Sequence, residues 1–281
     1  MRTPELLLLG GPNSGKTHFA GQLYGRLQRR PGALRLRKEH GGTPADLRAL
    51  EEVLRCLEDG HTALHTSAGT WAEVSLPLVD VQGNRLDLRW PDYAGEQLQA
   101  VFERREVSET WHSQLTRADA WVVLIRLNAE TTYGDALKTL TQHRGHRTDE
   151  KKRATEWDAN ARWVELFQLL LHVAGRSNVT RLAQPRLMVL LSCYDELPTT
   201  EKTPRQVLTD VLPMFSSYLD SSWESRAMSV WGLSALGKPL TLNSADQDFI
   251  DNGPESQGWV VDPTGTRIDA DLTLPLAWLL R

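Results

Sequence analysis

The sequence predicts an α/β fold in which helices cover both faces of a mostly parallel central sheet that carries one antiparallel strand. Along the chain, short apolar runs with the length of buried strands alternate with stretches of helical periodicity. The first such run is Leu6–Leu9, and a glycine-rich stretch separates it from the first helix. Residues 74 to 88 instead alternate apolar and polar side chains on both sides of a Gln-Gly-Asn turn. That pattern is typical of a β-hairpin and supplies the antiparallel strand.

The glycine-rich stretch has the pattern of a phosphate-binding loop. It reads Gly10-Gly11-Pro12-Asn13-Ser14-Gly15-Lys16-Thr17 and fits G-x-x-x-x-G-K-[ST]. The glycines let consecutive backbone N–H groups point at an anion, and the next helix adds its positive N-terminal end. Lys16 is expected to reach the β- and γ-phosphates of a nucleotide and Thr17 to bind Mg²⁺ through its hydroxyl. The sequence therefore predicts a P-loop NTPase whose phosphate contacts extend to His18.

The remaining elements follow in order along the chain. They are a helix that Thr43 caps, Pro44 opens and Gly60 ends, with an apolar face over 47–57, one helix carrying Leu98 to Leu115, a strand over 121–125, a helix over 157–175, a strand over 187–191, one helix over about 204–219, a strand over 228–233, a long loop with a small hairpin around 262–265, and a last helix capped by Thr273. With 281 residues, 40% of them apolar, we expect a single domain over 1–281 with insertions at about 29–65, 128–156 and 238–271.

Composition limits the environment and the partners. The net charge of −4 gives no reason to expect nucleic acid or an anionic membrane as a partner. Two cysteines are too few for a disulfide scaffold and suit a reducing compartment. No apolar run approaches the length of a membrane span. We therefore expect a cytoplasmic protein.

Further signals follow the strands. Asp92 stands just past the hairpin, where a carboxylate can hold the water shell of Mg²⁺, and Gly95 can bring its backbone N–H against a γ-phosphate. Asp195 follows the strand over 187–191, where a carboxylate can accept two hydrogen bonds from the edge of a guanine. Ser234-Ala235 ends the next strand and can close over the base.

The order of these motifs is similar to that of TRAFAC-class GTPases, the translation-factor-related and Ras-like group. Asp92-Tyr93-Ala94-Gly95 matches D-x-x-G, Ser192-Cys193-Tyr194-Asp195 occupies the place of N-K-x-D, and Ser234-Ala235-Leu236 resembles S-A-K. Two further segments, Pro91–Glu96 and Asp271–Leu280, together with the Ser-Cys-Tyr-Asp motif, resemble bacterial GTPases of the double-GTPase type. This resemblance covers nearly the whole chain.

The resemblance implies a Mg²⁺-dependent enzyme that hydrolyses GTP to GDP and phosphate as a molecular switch in a bacterial signalling or conflict system. It implies slow turnover without a protein partner or a second GTPase. Outside the phosphate loop, the nucleotide contacts it implies are Gly95, Cys193, Asp195, Ser234 and Ala235. The implied catalytic residues are Lys16, Glu96 and Gln97, and the implied Mg²⁺ ligands are Thr17, Asp92 and either Thr66 or Thr70.

Departures from the family pattern leave alternatives open. Ser192 and Cys193 replace the usual Asn and Lys, so guanine preference depends mainly on Asp195. Glu96 stands where Ras-like proteins keep the Gln that orients the attacking water, and Gln97 follows it. A P-loop ATPase or kinase, in which Asp195 is incidental, is one alternative function. A nucleotide-clamped scaffold with negligible turnover is the other, and Glu96 argues for it.

Overall fold

Strand β1 (Glu5–Gly10) lies inside a mixed sheet, because its four leucines are buried on both faces. The computed structural model describes residues 3–37, 47–63, 74–90, 96–133, 157–176, 179–198 and 201–281. The other strands in those ranges are β2 (Leu34–Leu36), β3 (Val74–Asp80), β4 (Arg85–Trp90), β5 (Ala120–Ile125), β6 (Arg186–Ser192), β7 (Met228–Ser234), β8 (Trp259–Val261) and β9 (Ile268–Asp269). The predicted strands over 121–125, 187–191 and 228–233 are confirmed as β5, β6 and β7.

The sheet order is β2-β3-β4-β1-β5-β6-β7-β8-β9. Strands β4, β1, β5, β6 and β7 run parallel, so their carboxyl ends share one edge of the sheet. The antiparallel strand predicted from the hairpin is β3, and β8 is a second strand that runs against its neighbours. Strands β8 and β9 pair antiparallel and form the small hairpin expected around 262–265. The pairing of β8 with β7 was not expected, because β8 is too short to produce a period-two signal.

The helices of the described residues lie on both faces of the sheet, which confirms the predicted fold class. They are α1 (Lys16–Arg29), α2 (Arg48–Glu58), α3 (Glu96–Arg104), α4 (Glu109–Arg117), α5 (Ala159–Val173), α6 (Pro204–Val211), α7 (Pro213–Ser222), α8 (Gln247–Asn252) and α9 (Leu274–Trp278). Leu6 and Leu8 pack with α1, α2, α8 and α9, whereas Leu7 and Leu9 pack with α3 to α7. No helix in the described ranges is both long enough and apolar enough to cross a membrane.

Two helices predicted as continuous are each divided. The helix expected from Leu98 to Leu115 breaks at Arg105, whose φ is +60°, and Ser108 caps α4 by accepting a hydrogen bond from Trp111 N. The helix expected over 204–219 breaks before Pro213, which opens α7. Proline has no N–H to continue the hydrogen bonding of α6, and its ring clashes with the preceding turn.

Candidate nucleotide site

The phosphate loop, Gly10–Thr17, joins the carboxyl end of β1 to the start of α1. Its backbone is tightly folded: Gly15 has φ +78° and Asn13 has φ +55°. A Cβ added at Gly10 would lie 2.6 Å from Ser14 Oγ and 3.2 Å from the carbonyl oxygen of Leu124 on β5. The loop therefore needs glycine at position 10 to fold closely against the sheet edge.

Lys16 lies inside this loop. Its Nζ donates to the carbonyl oxygens of Gly10 at 2.6 Å and Gly11 at 2.7 Å, and it contacts Ser14 Oγ at 3.2 Å. Burial lowers the pKa of Lys16 from 10.5 to about 8. An anion bound at the loop would favour the charged ammonium and raise this pKa again.

Asp195 lies in a single helical turn, Tyr194–Glu196, that follows β6 and is called here the Asp195 turn. Buried Ser234, at the end of β7, donates its hydroxyl to Asp195 Oδ1 at 2.5 Å. The same hydroxyl oxygen accepts a hydrogen bond from Gly237 N at 2.9 Å. The ends of β6 and β7, which the sequence predicts as base-contacting motifs, thus form one hydrogen-bonded unit.

Cys193 brings the Asp195 turn against the phosphate loop. Its φ is +50°, and its Sγ would lie 3.6 Å from a Cβ added at Gly15. Burial raises the pKa of the Cys193 thiol to about 11, so the side chain is neutral at physiological pH. The preceding hydroxyl, on Ser192, is buried and has no hydrogen-bond partner among the described residues.

Arg126 is a residue of this site that the sequence interpretation missed. It follows β5 directly and makes a two-pronged contact with Glu196: Nε to Oε2 at 2.9 Å and Nη2 to Oε1 at 2.5 Å. Its third nitrogen, Nη1, donates to the carbonyl oxygen of Asn13 at 3.4 Å. The hydrogen bond with Glu196 is the largest cause of a raised Arg126 pKa. The sequence gives only its position after a buried strand, and the structure shows that this strand lies between β1 and β6.

The segment Pro254–Trp259 contacts both the phosphate-loop helix and the Asp195 turn. Gln22 and Arg26 on α1 donate to the carbonyl oxygen of Gln257 at 3.0 and 3.1 Å. Gly258 has φ +79°, and a Cβ there would lie 2.3 Å from the carbonyl oxygen of Ala235. The Trp259 ring packs edge-on against Tyr194, with the ring centroids 6.2 Å apart.

The structure describes some of the other predicted site residues, and the rest lie outside the described ranges. Thr17 and His18 lie in the first turn of α1, and Pro12 and Asn13 are exposed at the tip of the phosphate loop. Glu96 and Gln97 begin α3. The predicted Mg²⁺ ligands Asp92, Thr66 and Thr70, and the predicted γ-phosphate contact Gly95, lie outside the described residues.

Comparisons with known proteins give a family match. The profile of the family described as Double-GTPase 1 matches residues 7–279. A comparison with curated proteins gives no significant match. The Arl6 BBS3 small GTPase from Trypanosoma brucei, solved with the nucleotide analogue GppNp, is 11% identical with a TM-score of 0.38, over 83% of this chain and 87% of that chain. The signal recognition particle receptor SRb-GTP/SRX complex from Chaetomium thermophilum is 13% identical with a TM-score of 0.40, over 86% of this chain and 94% of that chain.

Proposed function

We propose that this chain, which belongs to the Double-GTPase 1 family and is therefore a GTP-binding protein, hydrolyses GTP to GDP and phosphate as a nucleotide-dependent switch. The observation that carries this proposal is the arrangement at the shared sheet edge. The phosphate loop and the carboxylate of Asp195, which Ser234 orients, lie on neighbouring loops there. Ligands of α/β sheets bind at this kind of edge.

The phosphate loop suits a triphosphate. Backbone N–H groups of such a loop would bind phosphate oxygens, and the N-terminus of α1 adds a positive dipole end. Lys16 supplies a buried cation, whose lowered pKa reflects the cost of burying it. Mg²⁺ on Thr17, Asp92 and one of the two switch threonines would neutralise charge on the β- and γ-phosphates.

Asp195 favours guanine over adenine. Guanine presents two donors on one edge, N1–H and the N2 amino group, and a carboxylate accepts from both. Adenine presents an acceptor at N1, which a carboxylate repels. The hydroxyl of Ser234 holds Oδ1 of Asp195 in place, so the carboxylate has one preferred orientation. The match between this carboxylate and the two donors of guanine favours a GTPase over the alternative of a P-loop ATPase or kinase.

The hydrolytic step depends on residues near the start of α3. Hydrolysis requires a water aligned with the γ-phosphate, and Glu96 or Gln97 is the group we expect to orient it. Segments around Thr66 to Thr70 and Asp92 to Gln97 would change conformation with the γ-phosphate, and a protein partner or a second GTPase would respond to that change. We place this switch in a bacterial signalling or conflict system.

Base preference is tested with Asp195→Asn. An amide keeps one acceptor but turns its NH₂ group toward the other guanine donor, whereas xanthine offers the complementary pair. Losing one charged hydrogen bond costs about 1.5 to 3 kcal/mol, so GTP affinity should fall at least about tenfold while XTP affinity rises. Competition of both nucleotides against a fluorescent analogue measures this. Asp210→Asn makes the same chemical change at an exposed position and should change neither affinity.

Undiminished GTP preference in folded Asp195→Asn would refute the assignment of the base contact and favour an ATPase.

Turnover is tested separately by phosphate release from GTP. The wild-type protein should release phosphate, and Lys16→Ala should not, because it loses the charge contact to the β- and γ-phosphates. Glu96→Gln should keep or raise the rate, since an amide can still orient water. Absence of turnover in the wild type, alone and with candidate partners, would instead support the scaffold.

A further inference from the structure

We propose that Arg126 is a positioning residue for guanine-nucleotide binding, and that it supplies from the end of β5 the cation that the Ser-Cys-Tyr-Asp motif lacks at Cys193. Arg126 would act by holding the phosphate loop and the Asp195 turn at a fixed separation. The inference rests on the proposed function, because it assumes that the Asp195 turn contacts the base.

The position of Arg126 follows from the order of the strands. Strand β5 lies between β1, which leads into the phosphate loop, and β6, which leads into the Asp195 turn. A long side chain directly after β5 can therefore reach both loops. Arg126 does so through the carbonyl oxygen of Asn13 on one side and both carboxylate oxygens of Glu196 on the other.

The two contacts differ in strength. The contact with Glu196 is a two-pronged ion pair whose side chains are 34% and 19% exposed, and such forked geometry fixes orientation as well as distance. The contact with Asn13 is a single long hydrogen bond of 3.4 Å. Arg126 is therefore anchored on the Asp195 turn, and through Asn13 it sets where the phosphate loop lies relative to that turn.

Cys193 explains why an arginine is needed here. Its side chain lies at the junction of the two loops, beside Gly15, but a neutral thiol contributes no charge there. The negative charge of Asp195 is among the causes that raise the pKa of Arg126. The junction thus carries a cation that comes from the neighbouring strand and not from position 193.

Glu196 gives a second reason why an arginine is needed at position 126. It is adjacent to Asp195, so two carboxylates share one short turn. Without Arg126, the charge of Glu196 would be unbalanced beside both Asp195 and a bound polyanion. We expect the turn to rotate away from the phosphate loop in that case. Rotation would weaken GDP and GTP equally, because both carry the same base and the same α- and β-phosphates.

The experiment measures Kd by calorimetry for GDP and for a non-hydrolysable GTP analogue. Arg126→Ala should weaken both about tenfold to a hundredfold, as expected for loss of charge-assisted hydrogen bonds. Adding Cys193→Lys to Arg126→Ala returns a cation to the junction, and Kd should recover to within about threefold of wild type. The matched control is Arg226→Ala, which breaks another Arg–Glu ion pair, with Glu224, before the amino end of β7 and thus at the sheet edge opposite the site. It should leave both Kd values unchanged.

The rescue separates a role at this junction from general stabilisation, because a lysine at 193 returns a cation between the phosphate loop and the Asp195 turn, where it can balance Glu196, and adds nothing elsewhere in the fold. Wild-type Kd values in folded Arg126→Ala, or no recovery in the double variant, would overturn the proposal. If Arg126→Ala does not fold, the neutral Arg126→Gln replaces it with the same expectations. Failure of the proposed function gives a different result, namely a wild-type protein without preference for guanine nucleotides over ATP.

Discussion

Raising the pH from 7 to 9 should weaken GTP binding about tenfold, because burial holds the pKa of Lys16 at about 8. About a tenth of the Lys16 side chains are then neutral at pH 7 and about nine-tenths at pH 9. A bound triphosphate favours the ammonium, so Lys16 in the complex stays charged over this range. Binding at pH 9 must therefore first protonate Lys16, which costs about 1.4 kcal/mol, or tenfold in affinity.

Without nucleotide, the same group changes stability in the opposite direction. The pKa of Lys16 is about 8 in the folded chain, against 10.5 for an unburied lysine. Between these two values the unfolded chain binds more protons than the folded chain, so the Lys16 contribution to the free energy of unfolding rises with pH. The Lys16 contribution to the stability of the nucleotide-free protein should therefore rise with pH above about 8 while nucleotide affinity falls; above about pH 9 the raised pKa of Cys193 contributes to stability with the opposite sign.

Titration with a fluorescent GTP analogue at pH 7, 8 and 9 measures the effect. Lys16→Arg is the control, because its guanidinium stays charged from pH 7 to 9. Any pH dependence that comes from titration of the nucleotide itself remains in this variant. The pKa values of Cys193, about 11, and Tyr24, about 12, keep both groups neutral in this window. Equal pH dependence in the wild type and in Lys16→Arg would refute the role given to Lys16.

Three substitutions test the stability of the fold, one of them beside the Asp195 turn. Gly232→Ala would place a Cβ 2.9 Å from Cδ2 of Tyr194, so we expect a loss of about 1 to 3 kcal/mol in unfolding free energy and several-fold weaker GTP binding. Thr203→Ala removes the hydroxyl that accepts from Gln206 N at the start of α6 and should cost about 0.5 to 2 kcal/mol. Phe167→Ala, in the core of α5, should cost about 3 to 5 kcal/mol.

Urea unfolding followed by circular dichroism measures all three. Thr203→Ser keeps the capping hydroxyl and should retain most of the stability, which separates the cap from the lost methyl group. Of the three, only Gly232→Ala should also change GTP affinity, since its clash lies next to the Asp195 turn. Unaltered nucleotide binding in Gly232→Ala would mean that Tyr194 moves aside without displacing Asp195.

What the sequence predicts and what it misses depends on how far apart the interacting residues lie in the chain. The phosphate loop is predictable because one continuous stretch carries the turn, the cation and the hydroxyl. Asp195 and Ser234 are predictable one at a time, because each follows a buried strand. Their hydrogen bond needs two neighbouring strand ends, and the parallel pairing of β6 with β7 provides them.

Arg126 could not be assigned in the same way. Its partners, Asn13 and Glu196, lie far from it in sequence on different loops, and an arginine after a strand has no periodicity to mark it. The hairpin of β8 and β9 is predictable from its turn around 262–265, but the pairing of β8 with β7 is not, since their residues lie far apart in the chain and no local pattern marks it. The break before Pro213, by contrast, could have been predicted, because proline alone carries that signal.

The contacts of α1 with residues near 257 have a consequence for how the chain folds during synthesis. Arg26 donates to Gln257, which lies 231 residues later, and Ala33 N donates to Asp271, 238 residues later. Contacts this distant close last, since chains emerge N-terminus first and long loops form slowly. The phosphate loop precedes residues 254–271 in the chain, so its helix makes these contacts only once that later segment has been made. A nascent chain should therefore bind GTP more tightly after residues 254–271 have docked than before, and GTP should stabilise the docked state.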